Sequence, residues 1–199
     1  DGPPTCYDDL EAADLHVVVG ANMAWCHPVL FQRIERARAG RRPRPALAAL
    51  YPRGTAAAAG ADLTVALRPG SDATFLTAVL AELWRTDRLD AAWMRAHTEN
   101  FAALECVLAD FDAERVAREC GIARDTFARV VELWSASRAA LSLWAMGVNQ
   151  SAHGTDTANA LINVHLATGQ LGRPGAGPFS LTGQPNAMGG REVGAMATL

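Results

Sequence analysis

Four short apolar runs punctuate the first three quarters of this chain, and each ends in glycine or a turn. They are DLHVVVG (14–20), PALAALYP (45–52), DLTVAL (62–67) and RAALSLWAMG (138–147). Runs of this length, rich in branched and aliphatic residues and bounded by glycine or proline, read as strands, those at 14–20 and 138–147 as buried ones. Helical periodicities lie between them. Strand–helix alternation of this kind builds βαβ units, so the pattern predicts an α/β fold: a parallel sheet with flanking helices. A chain of 199 residues, half of them hydrophobic, is long enough to bury such a core.

The helices announce themselves by caps and stops. Thr5 is expected to cap a helix over Tyr7–Ala13, with Asp8 and Asp9 in its first turn. Pro28 suits the first turn of the next helix. Asp72 is expected to cap a helix from Ala73 to Arg85, and Thr155 one over Asp156–Thr168. The stretch 86–137 is helical, with Asp112 and Gly121 as cap and stop of one of its members. Five arginines fall between Arg36 and Arg44. They read as a solvated helix end and loop, with a phosphate patch as the alternative.

From Gly169 the character changes. Eight of the 17 glycines lie between Gly169 and Gly194, and no apolar periodicity survives. The chain therefore divides into an α/β domain over 1–168, which includes the helical segment, and a glycine-rich loop over 169–199. A long loop of this sort serves a ligand or a partner surface.

A net charge of −3 argues against a nucleic acid or a membrane surface as partner. No apolar run approaches the length of a membrane span. The four cysteines, Cys6, Cys26, Cys106 and Cys120, have neither zinc nor iron–sulfur spacing and read as buried or half-buried free thiols. That places the chain in a reducing compartment, the cytoplasm, with the periplasm left open. The first residue is aspartate, so the chain reads as part of something longer.

Chemistry is expected just after the strands, because ligands of open parallel sheets bind outside the carboxyl ends of the strands. Four segments qualify: Gly20–Cys26, Tyr51–Thr55, Arg68–Asp72 and Met146–Gln150. Glycine permits tight turns there, and helix N-termini offer amides to phosphate. Ordinary βα turns are the competing reading for each. Asp72 is a helix cap, a ligand contact or both; Asn22 is a turn residue or an amide donor; Met146 is most simply a core residue. Cys26 near a helix start is a weak candidate nucleophile. His27 and His153 have no metal-spaced partners, and no metal ligand is assigned.

Three stretches carry a resemblance. MGVNQSAHGTD with NALINVHLATGQLGRPGAGPFSLTGQPNAMGGREVG, ADLHVVVGANMAWCHPVLFQRI, and LRPGSDATFL resemble, in matching order, the bacterial molybdenum-dependent nitrate reductases. The last fifty or so residues are the most specific part, and the helices over 86–137 the least. The resemblance implies a Rossmann-like dinucleotide-binding domain cut from a large enzyme that reduces nitrate to nitrite. That parent carries molybdenum bound by two molybdopterin guanine dinucleotides, together with an iron–sulfur cluster that lies outside this segment.

By position, the resemblance implies that one dinucleotide is lined by Gly20, Ala21, Asn22, Met23, Ala24, Trp25 and Cys26. Tyr51, Pro52, Arg53, Gly54 and Thr55 would line it too, with Gly70, Ser71 and Asp72, whose carboxylate suits a guanine edge. Met146, Gly147 and Gln150 would lie towards the metal, and Arg191 would hold nitrate by its guanidinium fork. Arg191 and Met146 are thus the implied catalytic residues. The implied partners are nitrate, the remaining domains of the same polypeptide and an electron donor.

The chain also departs from the family pattern. The cysteines that hold the cluster and the metal have no counterpart here. Tyr51-Pro52-Arg53 stands where many relatives have Asp-Pro-Arg, so a carboxylate for ribose hydroxyls is missing. A guanine-nucleotide-binding module without catalysis is the rival reading, and a formate-oxidising relative the third. The segment alone is expected to be inactive, and its last loop to need the rest of the enzyme for its contacts.

Overall fold

The computed structural model describes residues 4–181 together with Val193. Among these residues, five parallel strands form one sheet: β1 (Leu15–Val19), β2 (Ala46–Tyr51), β3 (Leu63–Ala66), β4 (Ala140–Trp144) and β5 (Gly177–Ser180). Their spatial order is β3-β2-β1-β4-β5. The α/β reading of the sequence holds.

Among the described residues, eleven helices surround the sheet: α1 (Asp9–Ala12), α2 (Met23–Cys26), α3 (Pro28–Gly40), α4 (Ala56–Ala59), α5 (Asp72–Arg85), α6 (Ala91–His97), α7 (Phe101–Leu108), α8 (Ala113–Arg115), α9 (Arg124–Ala136), α10 (Met146–Asn149) and α11 (Gly154–Ala167). A π turn over Val116–Cys120 extends α8.

Strand side chains alternate between two cores. Leu15, Val17 and Val19 of β1 face one layer with Phe75 and Leu76 of α5, Trp134 of α9 and Leu161 of α11. Val18, Leu47, Leu141 and Leu143 face the other, with Leu10 of α1, Met23 of α2 and Ile34 of α3. The chain winds outward from β1 to β3 with its helices on one face. It then crosses back to β4 and continues on the other face. The winding reverses between β1 and β4, which opens a crevice at their carboxyl ends.

Several sequence expectations are corrected. The segment after Gly169 is not loop alone, because 177–180 pairs in parallel with β4 as an edge strand. Four residues containing Gly177 and Pro178 carry no readable period, and proline is tolerated at an edge. Thr5 caps nothing: its hydroxyl donates to the Pro178 carbonyl, and α1 is confined to Asp9–Ala12. Asp72 is the first residue of α5 rather than its cap, which is Ser71. Likewise α11 begins at Gly154, with His153 before it, so Thr155 lies inside the helix. Strand β4 stops at Trp144, and Met146–Asn149 turns helical. Three of the four cysteines are exposed, and Cys120 alone is buried.

The arginine run is not simply solvated. Arg38 is 2% exposed. Its guanidinium donates to Glu35 at 2.7 Å, to Asp62 at 2.8 Å and to the carbonyls of Gly60 and Pro45. Asp62 also accepts from Arg44 and from the Leu47 backbone N–H. Burial alone would raise the Asp62 carboxyl; the Leu47 N–H and the two guanidiniums hold it below its ordinary value. This network ties α3 to the entries of β2 and β3. Arg38→Met is expected to destabilise the chain by about 2–3 kcal/mol, since it leaves the Gly60 and Pro45 carbonyls without their guanidinium donor and removes one of the two cations that face Asp62. Arg38→Lys should recover less than half, lacking the planar fork. Urea unfolding of the variants measures both.

Candidate functional site

The crevice is built on a close approach of two glycines. Gly20 follows β1 directly with φ +56°, and its carbonyl accepts from the Gly147 N–H at 3.0 Å. A Cβ on Gly147 would lie 2.4 Å from the Gly20 oxygen and 2.7 Å from its Cα. No other residue type fits at 147 without moving backbone. Around this contact lies a cavity of about 220 Å³ lined by Gly20, Ala21, Asn22, Cys26, His27, Ala145, Met146 and Gly147.

A second cavity, about 680 Å³, adjoins it and shares Asn22. Trp25, Arg53, Gly54, Thr55 and Ala56 line it, with Thr64 of β3. Trp25 is 78% exposed, so a large indole stands at this rim without a partner surface. A Cβ on Gly54 would meet open space. Thr55 caps α4 by accepting from the Ala58 N–H, and Asn22 Oδ1 accepts from the Ala57 N–H at 3.4 Å. Among the described residues, the backbone N–H groups of Ala21, Asn22, Arg53 and Gly54 donate to no backbone carbonyl. Loops with amides left over in this way suit an anionic ligand.

The turn after β3 stands apart, for Gly70, Ser71 and Asp72 line neither cavity. Gly70 has φ +83° and open space around it. Ser71 is buried and its hydroxyl donates to the Arg68 carbonyl at 2.7 Å. Burial pushes the Asp72 carboxyl above its ordinary value. Arg68 pins this turn to the helical segment: its guanidinium donates to the Arg118 and Glu119 carbonyls, and its N–H to Cys120. The sequence placed Arg68 in a candidate ligand turn but gave no sign of this pinning role, because its partners lie about fifty residues away. The helical segment thus supports the turn that presents Asp72.

The structure therefore gathers Gly20, Ala21, Asn22, Cys26, Met146 and Gly147 in one place. It puts Trp25, Arg53, Gly54 and Thr55 beside them. Met23 is fully buried in the core, and Ala24 packs against that core. Pro52 and Gln150 are exposed. Tyr51 is only 3% exposed, with its hydroxyl donating to the Ala21 carbonyl at 2.6 Å. Cys26 is exposed, but its thiol donates to the Asn22 carbonyl and burial of its sulfur raises its pKa, the opposite of an activated nucleophile. Arg191 lies outside the described residues. Among the described residues, no three His, Cys, Asp or Glu side chains gather as a metal site. No described helix is long and apolar enough to cross a membrane.

The parallel sheet, its winding reversal and a glycine-lined crevice fit many dinucleotide-binding enzymes, and comparison with known proteins decides among them. Residues 5–198 match the family described as molybdopterin oxidoreductase. The chain belongs to the molybdopterin oxidoreductase family. Membership implies a molybdenum–pterin cofactor.

Among relatives in this family, a nitrate reductase of Synechocystis is 44% identical over 199 residues, which is all of this chain and 28% of that protein. An assimilatory nitrate reductase of Haloferax mediterranei is 41% identical over 198 residues, covering 27% of its length. The chain thus spans about a quarter of the length of these relatives. In structure it is similar to acetylene hydratase from Pelobacter acetylenicus, with a TM-score of 0.73 and 16% identity. That match covers 82% of this chain and 24% of that one, and it bears on the fold alone.

Proposed function

We propose that this chain is the part of a molybdenum-dependent nitrate reductase that binds one molybdopterin guanine dinucleotide. The observation that carries the reading is the Gly20–Gly147 crevice with its adjoining cavity, in a chain 44% identical to a nitrate reductase throughout its length. The crevice accepts a narrow, anionic portion of a ligand close to backbone. The wider cavity, with Trp25 and Arg53, accepts a planar and a phosphorylated portion. Asp72 is proposed as the partner of the guanine edge, and Met146 and Gln150 as the side chains nearest the metal end.

When bound, the cofactor supplies the two electrons and the oxygen acceptor for conversion of nitrate to nitrite. The protein's own work is placement. Arg191 is proposed to hold the planar anion by two N–H donors and to offset its charge. Remaining domains of the parent, an iron–sulfur cluster and an electron donor complete the reading. The cytoplasm is the proposed compartment, on the ground that three exposed cysteines are free.

The test uses the whole polypeptide that carries this segment, assayed with a reduced viologen dye and nitrate. Nitrite formation is expected from it and none from the 199-residue chain. Nitrite produced by the short chain alone would contradict the assignment, as would a whole polypeptide that oxidises formate and leaves nitrate untouched.

A further inference from the structure

Tyr51 stands at the end of β2, where a ligand-contacting side chain was expected, yet it points inward. Its ring belongs to the core beneath α2 and α4, and its phenol donates to the Ala21 carbonyl at 2.6 Å. Its oxygen therefore joins the loop after β1, at Ala21, to the end of β2, from which the Arg53–Thr55 loop departs. Both loops line the cavities described above, and Asn22, next to Ala21, is the residue the two cavities share. Thr55 and Asn22 in turn anchor the first turn of α4 through the Ala58 and Ala57 N–H groups.

The rest of the contact between these loops is thin. Ala21 and Asn22 lie outside the β1–β2 ladder, which ends with Val19 opposite Leu50, and the Gly20 N–H makes the last bond to the Leu50 carbonyl. Beyond that point the register of one loop against the other depends on the phenol and on the Asn22–Ala57 bond, which is long. Removing the hydroxyl deletes a buried hydrogen bond and leaves the Ala21 carbonyl with only the local bond from the Met23 N–H at 2.9 Å. Aspartate at the same position is too short to reach as the phenol does.

We infer that Tyr51 is a positioning residue: it binds no ligand itself but sets the Ala21–Asn22 loop against the Arg53–Thr55 loop, and so governs guanine-nucleotide affinity. The inference rests on the dinucleotide reading proposed above. It also changes what the missing carboxylate means. The position no longer offers a polar contact to a ribose and instead rigidifies the walls around it.

The experiment compares the whole polypeptide with its Tyr51→Phe variant, both prepared without pterin cofactor and titrated calorimetrically with GDP. Phenylalanine keeps the buried ring and deletes one oxygen. GDP binding is expected to weaken by on the order of tenfold, the size of one hydrogen bond. A structural control is Leu47→Val, at the far end of the same strand, which should lower Tm without changing GDP affinity. As a second readout, amide exchange at 21–23 should quicken in Tyr51→Phe while exchange at 46–48 does not. Wild-type GDP affinity in Tyr51→Phe, with unchanged exchange at 21–23, overturns this inference and leaves the dinucleotide reading standing. Failure of the wild-type polypeptide to bind GDP overturns that reading, and this inference with it.

Discussion

Gly147→Ala is expected to cost the chain about 3 kcal/mol, with the crevice at the winding reversal destroyed. The added carbon would lie 2.4 Å from the Gly20 oxygen, 2.7 Å from its Cα and 2.9 Å from its carbonyl carbon, so every obstacle is backbone. A flexible side chain could swing aside, but these atoms close β1 and cannot. Relief requires β1 and α10 to move apart, which breaks the Gly147 N–H bond to Gly20. Urea unfolding followed by circular dichroism measures the loss. In the whole polypeptide the same change should reduce bound pterin below a tenth of the wild-type content, read from fluorescence after acid release. An alanine variant of wild-type stability would show that the two strand ends are not held together as described. Gly54→Ala is the matched control, since its Cβ meets nothing within 4 Å, and it should be near neutral in stability.

The second large effect is acid destabilisation through two interior histidines. His16 of β1 and His165 of α11 are both fully buried. Nε2 of His16 lies 2.8 Å from the Leu10 carbonyl, and Nε2 of His165 lies 2.8 Å from the Ser142 hydroxyl. The Nδ1 atoms of both are buried with no hydrogen-bond partner among the described residues. The nearby backbone of Ala46 for His16, and of Gln170 for His165, offsets only part of the cost of burying a charge there. Burial lowers His16 from 6.5 to about 4, helped by the charges of Arg38 and Arg41. Burial lowers His165 from 6.5 to about 3, with Trp134 packed on its ring at 5.1 Å.

The sign follows from which state takes the proton. Below pH 6.5 the unfolded chain protonates these histidines and the folded chain does not, so stability falls as pH falls. It continues to fall until the folded values are reached, and nothing changes above 6.5. Each histidine contributes about 1.4 kcal/mol per pH unit, so two units of acidification remove roughly 5 kcal/mol. The carboxylates add little in this window, because their ordinary values lie below it. The urea midpoint should therefore drop steeply between about pH 6.5 and 4.5. His165→Gln should flatten about half of that slope, since glutamine does not titrate. A midpoint constant over this range would mean that the two rings are not buried neutral.

Legibility differed between elements for identifiable reasons. Strands β1, β2 and β4 were readable because strands buried on both faces leave no polar alternation, and β3, an edge strand with Thr64 and Ala66 exposed, because turn residues bound its short run. Pro28, Asp112 and Gly121 were readable as helix signals because each acts within one turn: Asp112 accepts from the Arg115 N–H, and Gly121 sits at φ +72°. Thr5, Asp72 and Thr155 misled because a capping residue type says nothing about competing partners. Thr5 found the Pro178 carbonyl 173 residues away. β5 was invisible because its four residues owe their extended form to pairing with Leu141–Trp144 rather than to their own preference.

The candidate site divides in the same way. The amino-acid sequence by itself determined the α/β class, the four segments at the strand ends, and the family, because these depend on local runs and motif order. Only the tertiary structure decided which of those segments meet. It brought Gly20 against Gly147 across the winding reversal, set Gly70–Asp72 on the end of the helical segment through Arg68, and buried Arg38 among carboxylates. It also turned Tyr51 into the core, where its hydroxyl ties the loop after β1 to the end of β2. Each outcome is a contact between residues far apart in the chain. Such contacts are set by sheet order and packing, which no local pattern encodes.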